Sequence, residues 1–420
     1  MNGDSIAERL DRLFPGRWEL YEKSGESREA AATAAGRSER VRGESGWAVR
    51  WWDPAPRFAA ASDPTRLEEA MRSAGEVAAS AEPVPVWPGA PARRDDDPAA
   101  AEPAEPALPD LFEELSRLLA AESRGEARLE ELVVRGGRSR ERIRNAAGRD
   151  VAWTASRLDG RARAIGRRAT RASEARALFR WDGAADLRDL ARRLSDRATL
   201  PLSGRAAPFE RGEWMLDPSV AAGLLGALAP LFTGDVLPRW AKRAPVFTPQ
   251  VAIVDDATPD ASYDGEGVRT RRVLLVGSGE ISGRLHDLAS AREHGIESTG
   301  HGVRHSFRAP PIRAARRLFF EAERPAAPPD LLASVRRGLF ASALTAPFRC
   351  DLEQDRFEAE FAGVSIVAGR AQGAVAGARA RGRVSDLLRR IAALSSDLRF
   401  FPMPDPVGAP TVLIERAAFD

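Results

Sequence analysis

The pattern of apolar and polar positions changes three times along the chain. Over residues 1–14 apolar side chains recur at helical spacing, and residues 18–25 (WELYEKSG) then alternate as a half-buried strand does. Two more strand-like runs follow, and a second helix begins at PTRLEE, with Asp63 as its cap and Pro64 in its first turn. The pattern predicts a compact N-terminal α+β domain over residues 1–82.

The next two stretches differ sharply in composition. Residues 83–108 are rich in proline, alanine and acidic residues, and this composition predicts a linker or exposed loop because it cannot bury a core. Residues 109–211 predict a middle domain, in which two helices flank a β-meander with many arginines. We expect these arginines to be solvated or to guard strand edges. A groove for acidic peptides is the alternative.

Residues 212–420 predict a third, β-rich domain. Its first strand leads into a helix capped at Asp217-Pro218-Ser219, and a buried strand VAIVDD follows. Gly277-Ser278-Gly279 marks a hairpin turn, and the short helix HDLASAREHG after it is predicted to end at Gly295. Residues 383–398 (RVSDLLRRIAALSSDL) have the apolar spacing of a helix. The predicted fold class is therefore α+β, with an N-terminal α/β unit, a middle β-meander with helices and a β-rich C-terminal domain.

Charge and composition exclude some classes of function. Lys23 and Lys242 are the only lysines, and the net charge is +2, so we expect no membrane partner and no specific nucleic-acid partner. The first residues form a polar helix without an apolar signal core, and no run reaches the roughly 18 apolar residues that a membrane span needs. These features predict a cytoplasmic protein. The single cysteine, Cys350, is expected to be a packed thiol.

The third domain contains two clusters of residues that could bind a metal ion. Asp264-Gly265-Glu266-Gly267 could hold a divalent cation, but a tight turn with glycines at positive φ is the favoured interpretation. His294, His301 and His305 lie in one stretch, and the last two have the spacing of helical zinc ligands. Glycines on both sides of His301 disfavour a helix, and no Glu follows it as a helical zinc motif requires.

Several segments of the third domain, in the same order, resemble the TldD/PmbA (TldE) metallopeptidase family. WMLDPSVAAGLL (214–225) is similar to the family's first strand and helix, and residues 251–300 resemble its central signature. That signature has a Val-Asp-Asp strand end, an Asp-x-Glu-Gly turn, a hairpin, and an Ala-Arg-x-x-Gly helix end before Ser-Thr-Gly. GAPTVLIERAAF (408–419) resembles the closing strand. The N-terminal strands are also similar, whereas residues 109–205 fit only loosely.

In the catalytic branch of this family the helix after the Asp-Pro turn carries His-Glu-x-x-x-His, and a later Cys completes a zinc site. Two imidazoles about one helical turn apart can bind one metal ion, and the Glu can accept a proton from bound water. Here Gly226 and Ala227 stand at the first His and the Glu, and Leu231 lies near the second His. None of the three has an atom that can bind zinc.

The resemblance therefore implies the PmbA/TldE-like branch, which lacks the zinc motif. It implies no catalytic residues and no cofactor in this chain, and a heterodimer with a TldD-like catalytic subunit that carries the zinc. It also implies proteolysis of unstructured or precursor peptides, for which strand addition is a reasonable mode of binding. Asp264, Glu266, His301 and His305 become candidates to line the substrate tunnel.

Two other hypotheses remain open at this point. One is an independent metal-dependent hydrolase whose ligands have moved to His294, His301 and His305. The other is a peptide-binding scaffold without enzymatic activity.

Overall fold

The computed structural model describes residues 3–53, 55–74, 95–96, 108–180, 186–203, 211–235, 237–243, 245–403 and 405–418. Its helices are α1 (Gly3–Leu13), α2 (Pro64–Ser73), α3 (Leu108–Glu122), α4 (Leu187–Ser203), α5 (Pro218–Leu228), α6 (Pro230–Thr233), α7 (Leu288–His294), α8 (Pro328–Ser334) and α9 (Val384–Leu388). Its strands are β1 (Trp18–Thr33), β2 (Gly36–Trp52), β3 (Pro56–Ala61), β4 (Asp95–Asp96), β5 (Ala127–Asn145), β6 (Asp150–Arg168), β7 (Arg171–Arg180), β8 (Arg211–Leu216), β9 (Val251–Asp256), β10 (Arg272–Gly277), β11 (Glu280–Ile281), β12 (Gly302–Val303), β13 (Ile312–Arg313), β14 (Leu318–Ala322), β15 (Arg337–Asp351), β16 (Arg356–Val367), β17 (Arg370–Gly382), β18 (Ile391–Leu394), β19 (Arg399–Pro402), β20 (Pro406–Ala409) and β21 (Val412–Ala418).

One large sheet spans the N-terminal half of the chain. Its strand order is β3-β2-β1-β5-β6, and both β4 and β7 pair with β6. The predicted boundaries put 1–82 and 109–211 in separate domains, whereas β1 pairs with β5 from Glu19 to Thr33. The two segments therefore build one sheet, because each covers a long strand edge that the other would leave unpaired. Most of the predicted linker, 83–108, lies outside the described residues.

Helices cover one face of this N-terminal sheet. Helices α1 and α2 pack on Leu20 and Val49, and α3 and α4 pack on Leu132 and Leu158. Near one end of the strands, the opposite face carries an apolar patch that packs against the C-terminal half. Its members from both halves are Tyr21, Ala48, Ile143, Val151, Trp153, Ala261, Tyr263 and Phe307. Farther along the strands this face carries mainly small and charged residues, and this division positions the site described below.

The C-terminal half contains two six-stranded sheets. Their orders are β11-β10-β9-β14-β20-β19 and β17-β16-β15-β8-β21-β18. Helix α5 lies between them and contacts β15 of one sheet and β20 of the other. Its residues Val220, Leu224 and Leu228 are fully buried, as expected for a helix that is apolar nearly all round.

Local signals in the sequence correctly predicted several element boundaries. Asp217 caps α5 by accepting a hydrogen bond from the Ser219 N–H at 3.0 Å. The β10–β11 hairpin turns at Ser278 and Gly279, which both have positive φ, and α7 ends at Gly295 in the left-handed conformation. The predicted α+β class is also confirmed.

The helix predicted over residues 383–398 is wrong in its second half. Helix α9 ends at Leu388, and residues 391–394 instead form β18, which pairs with β21. A short apolar run fits a buried strand as well as a helix. Here the run forms a strand because it pairs with the edge of β21. Among the described residues, no helix is both long and apolar enough to cross a membrane.

Candidate functional site: an interdomain groove

A polar groove runs between the N-terminal sheet and the C-terminal half. Its first part is a cavity of about 400 Å³, and a second cavity of about 420 Å³ continues it. Arg157 on β6 borders both cavities. The sheet forms the floor, and loops near His305, Met403 and Asp405 form the roof.

The floor of the groove consists largely of small residues at alternate strand positions. Gly25 on β1 lies opposite Ser139 on β5, which in turn lies opposite Ala155 on β6. The neighbouring pair, Ser27 and Gly137, is equally small. Successive side chains of a strand point to opposite faces, so these residues share one face and leave room above it for an extended chain.

Charged side chains stand at both ends of this floor. Lys23 Nζ lies 3.1 Å from Glu44 Oε2 at one end. At the other end Arg157 pairs with Asp159 and donates from Nη2 to the Met403 carbonyl oxygen at 3.2 Å. The groove therefore offers charges of both signs to the ends of a bound chain.

His305 and Asp405 form the roof of the first cavity. His305 Nε2 lies 3.8 Å from Asp405 Oδ2, and the histidine is exposed. Burial raises the pKa of Asp405 above its usual value, although His305 and Arg316 oppose this. His305 is thus one predicted tunnel residue that lines the groove, and Asp264 is another.

The three positions at which the family resemblance places the zinc motif lie on and after α5. Gly226 and Ala227 are on its partly exposed side, and Leu231 is buried in α6. A Cβ added at Gly226 would lie 3.5 Å from Sδ and Cε of Met403, which lines the groove. Met403 therefore stands between α5 and the groove, and a zinc ion would find no ligand atom at these three positions.

The Asp264–Gly267 segment forms a buried turn. Asp264 Oδ1 accepts hydrogen bonds from the N–H groups of Glu266 and Val268, both at 2.9 Å. Its Oδ2 accepts one from the Gly302 N–H at 2.9 Å. Gly267 has a φ of 72°, and a Cβ there would lie 3.2 Å from Ile143 of the N-terminal sheet. Burial raises the pKa of Asp264 despite these donors.

Four buried charged side chains join this turn to the N-terminal sheet. Arg50 Nη2 donates to Glu19 at 2.9 Å and to Glu266 at 3.0 Å, and Arg304 also donates to Glu19. Burial raises the pKa of Glu266 to about 8, although Arg50 opposes this. Burial acts in the same direction on Glu19, but Arg50 and Arg304 outweigh it and hold its pKa below the usual value.

The two buried histidines of this region, His286 and His301, contact protein side chains. His286 Nδ1 lies 3.2 Å from Ser290 Oγ. His301 Nε2 lies 3.0 Å from Asp255 Oδ1, and its Nδ1 is 2.9 Å from Thr299 Oγ1. Burial, helped by the neighbouring His294, lowers the pKa of His286 to about 4. Within the described residues, no three His, Cys, Asp or Glu side chains are grouped to hold a metal ion.

Several members of these networks were missed by sequence reasoning. Glu19 follows Trp18 in a strand predicted to be half-buried, yet both faces of this strand are covered and Glu19 is 1% exposed. Asp255 gave the one usable signal, an acidic residue that ends an apolar strand. Cys350 is half-buried beside the main core, and burial raises the pKa of its thiol to about 11.

Comparison with known proteins identifies the family. The sequence profile of the PmbA/TldA metallopeptidase C-terminal domain matches residues 211–420, half of the chain. The chain belongs to the PmbA/TldD metallopeptidase family. It is 30% identical over 136 residues to the metalloprotease TldD homolog of Haemophilus influenzae, a match that covers 30% of this chain and 27% of that protein. It is 28% identical over 126 residues to a metalloprotease of Methanothermobacter thermautotrophicus, covering 27% and 28%.

Solved structures resemble the chain over nearly its whole length. TldE of Thermococcus kodakarensis superposes with a TM-score of 0.80 at 18% identity, covering 99% of each chain. A putative modulator of a DNA gyrase from Thermotoga maritima gives 0.78 at 17% identity, covering 99% of this chain and 100% of that one. At such identities the likeness establishes the fold. The curated sequence relatives are matched over less than a third of their own length.

Proposed function

We propose that this chain is the non-catalytic, TldE-like subunit of a heterodimeric zinc peptidase that cleaves unfolded or precursor peptides. The observation that carries the proposal is the composition of α5 and its flank. Gly226, Ala227 and Leu231 occupy the family's motif positions, and Met403 covers Gly226 from the groove side. The zinc and the residues that activate water would then belong to the TldD-like partner.

In this proposal the groove of this chain holds part of the peptide. The small floor residues between β1 and β6 admit an extended backbone, and the charged ends hold its flanks. A further support is the outer edge of β2, which pairs with β3 only from Trp47 to Trp52. Between residues 36 and 46 no described strand pairs with this edge, so its backbone can receive an added strand.

The histidine contacts favour this proposal over a hydrolase with a metal site of its own. His301 is fully buried with a partner at each ring nitrogen, and His294 Nδ1 lies 2.8 Å from the Ser290 carbonyl oxygen. His305 is exposed and faces Asp405 instead. A shared metal would have to break the first two arrangements.

Co-expression with the TldD-like protein of the same genome tests the assignment. We expect the two chains to co-purify, and we expect the pair to cleave an unstructured peptide such as casein fragments in a zinc-dependent manner. Zinc-dependent cleavage by this chain alone, at a rate similar to that of the pair, would refute it.

A further inference from the structure

A separate cavity, which shares no lining residue with the groove, is rich in arginine. It has a volume of about 640 Å³ and lies between the β5–β6 turn, the segment before β10, and the end of α7. Its charged residues are Arg149, Arg269, Arg271, Arg292 and Glu297. Four guanidinium groups against one carboxylate give it an excess of positive charge.

Backbone oxygens and an aromatic ring fix the directions of three of these arginines. Arg149 is 8% exposed and donates from Nε to the Gly267 carbonyl oxygen at 2.7 Å. Arg271 donates to the Ser298 carbonyl oxygen at 2.6 Å. Arg149 and Arg269 also lie over the ring of Tyr263, with 5.8 and 5.7 Å from guanidinium carbon to ring centroid. Guanidinium groups that are already held lose less entropy when an anion binds.

The floor of this cavity is apolar. Leu288 and Ala291 from the buried side of α7 line it, together with Val268 and Ile296. Ile296 is 51% exposed, directly after the left-handed Gly295 that ends the helix. An aliphatic ligand that covered Ile296 would remove apolar surface from water.

A contact between two residues that line the cavity, Arg271 and Glu297, indicates that a carboxylate fits there. Glu297 Oε2 lies 3.7 Å from Arg271 Nη1, and the side chain of Glu297 is 91% exposed. A carboxylate therefore already occupies the neighbourhood of one guanidinium, and it is loosely held. A ligand carboxylate can take its place and bind a guanidinium through both oxygens.

We propose that this cavity binds a small amphiphilic anion, a carboxylate carried on an aliphatic body. The arginines recognise the carboxylate, and Leu288, Ala291 and Ile296 cover the aliphatic part. The inference is independent of the peptidase assignment, because it uses no residue of the groove floor or of α5.

Calorimetric titration of the full chain with octanoate, octanol and acetate tests both parts of the site. We expect octanoate to bind at least about tenfold more tightly than either probe that carries only one of its two groups. Equal affinity for octanol and octanoate would overturn the proposal, as would no octanoate binding at about 10 mM.

Matched variants locate the site. R269Q/R271Q should weaken octanoate binding at least about tenfold, because charge-assisted hydrogen bonds are lost. R349Q/R379Q removes the same charge from two exposed arginines on β15 and β17 and should change it less than about twofold. Equal losses in the two pairs would refute the location.

Two single variants keep the arginines in place. I296D should abolish the preference for octanoate over acetate, and E297Q should tighten octanoate binding because it removes the competing carboxylate. Wild-type affinity in both variants, with unchanged melting temperatures, would also contradict the proposal.

Discussion

The side chain of Met403 packs against Gly226 of α5, at 3.5 Å from the position that a Cβ would take. The contact places Met403 between this part of the helix and the groove. Among the described residues, the side-chain contacts within 4 Å of the Gly226 Cβ position come from Met403, whereas the Cβ position of Gly223 is 2.7 Å from Leu344 Cδ1. The two glycines of one helix thus differ in the space around them.

Because of this difference, we expect two matched substitutions to change the stability by different amounts. G226A should raise the free energy of unfolding by roughly 0.5–1 kcal/mol, since Ala favours the helix and its methyl meets Met403 at an ordinary distance. G223A should gain less or lose stability, because Leu344 must move. Urea denaturation of both variants measures this, and an equal gain in both would contradict the packing described.

The buried His301–Asp255 contact predicts a structural role for this histidine. H301A should lower the free energy of unfolding by about 1–3 kcal/mol, because Asp255 loses a partner inside the protein, although the N–H groups of Arg316 and Arg317 still donate to it. H305A, at an exposed position, should change it by less than about 0.5 kcal/mol. Denaturant titration compares the two, and a loss of bound zinc in H301A without loss of stability would support a metal-binding role instead.

The raised pKa of Glu266 should make the free energy of unfolding depend on pH. Its pKa rises from 4.5 to about 8 on folding, so between these values the folded chain holds a proton that the unfolded chain releases. This contribution is fully present below pH 4.5 and is lost as pH rises through 8. E266Q, which cannot ionise, should therefore gain at least about 1 kcal/mol relative to wild type between pH 5 and 8.5. A constant difference across this window would argue against a raised pKa.

If the groove holds the peptide, blocking its floor should reduce peptide cleavage without preventing the two chains from assembling. S139W would fill the space above β5, and peptide cleavage by the reconstituted pair should fall at least about tenfold if this chain holds the peptide. S73W is the control, because Ser73 is exposed on α2, which packs on the opposite face of the sheet. Equal activity of the two pairs, with both still co-purifying, would remove the groove from the proposal.

Sequence reasoning succeeded where a short segment determines its own structure. The cap at Asp217, the turn at Ser278 and the helix end at Gly295 each depend on a few neighbouring residues. The strand β18 was missed because its partner β21 lies about twenty residues later and decides between helix and strand.

The charged part of the site was harder to predict for a different reason. Arg50 and Arg304 would ordinarily be expected at the surface. The β1–β2 pairing places Glu19 directly opposite Arg50, whereas Glu266 and Arg304 reach this pair from the C-terminal half. Arg50 and Glu266 lie 216 residues apart and Arg304 and Glu19 lie 285 apart, so no local pattern records these two contacts. The candidate residues in the Asp264–His305 region were found because the family resemblance pointed to that segment.

The metal content of the isolated chain tests the central claim most directly. The protein, purified without chelators and dialysed against micromolar zinc, is analysed by plasma mass spectrometry for zinc per chain, and its cleavage of an unstructured peptide is followed in the same sample. We predict far less than one zinc per chain and no cleavage until the TldD-like partner is added. One zinc per chain, together with zinc-dependent cleavage by this chain alone, would contradict the account.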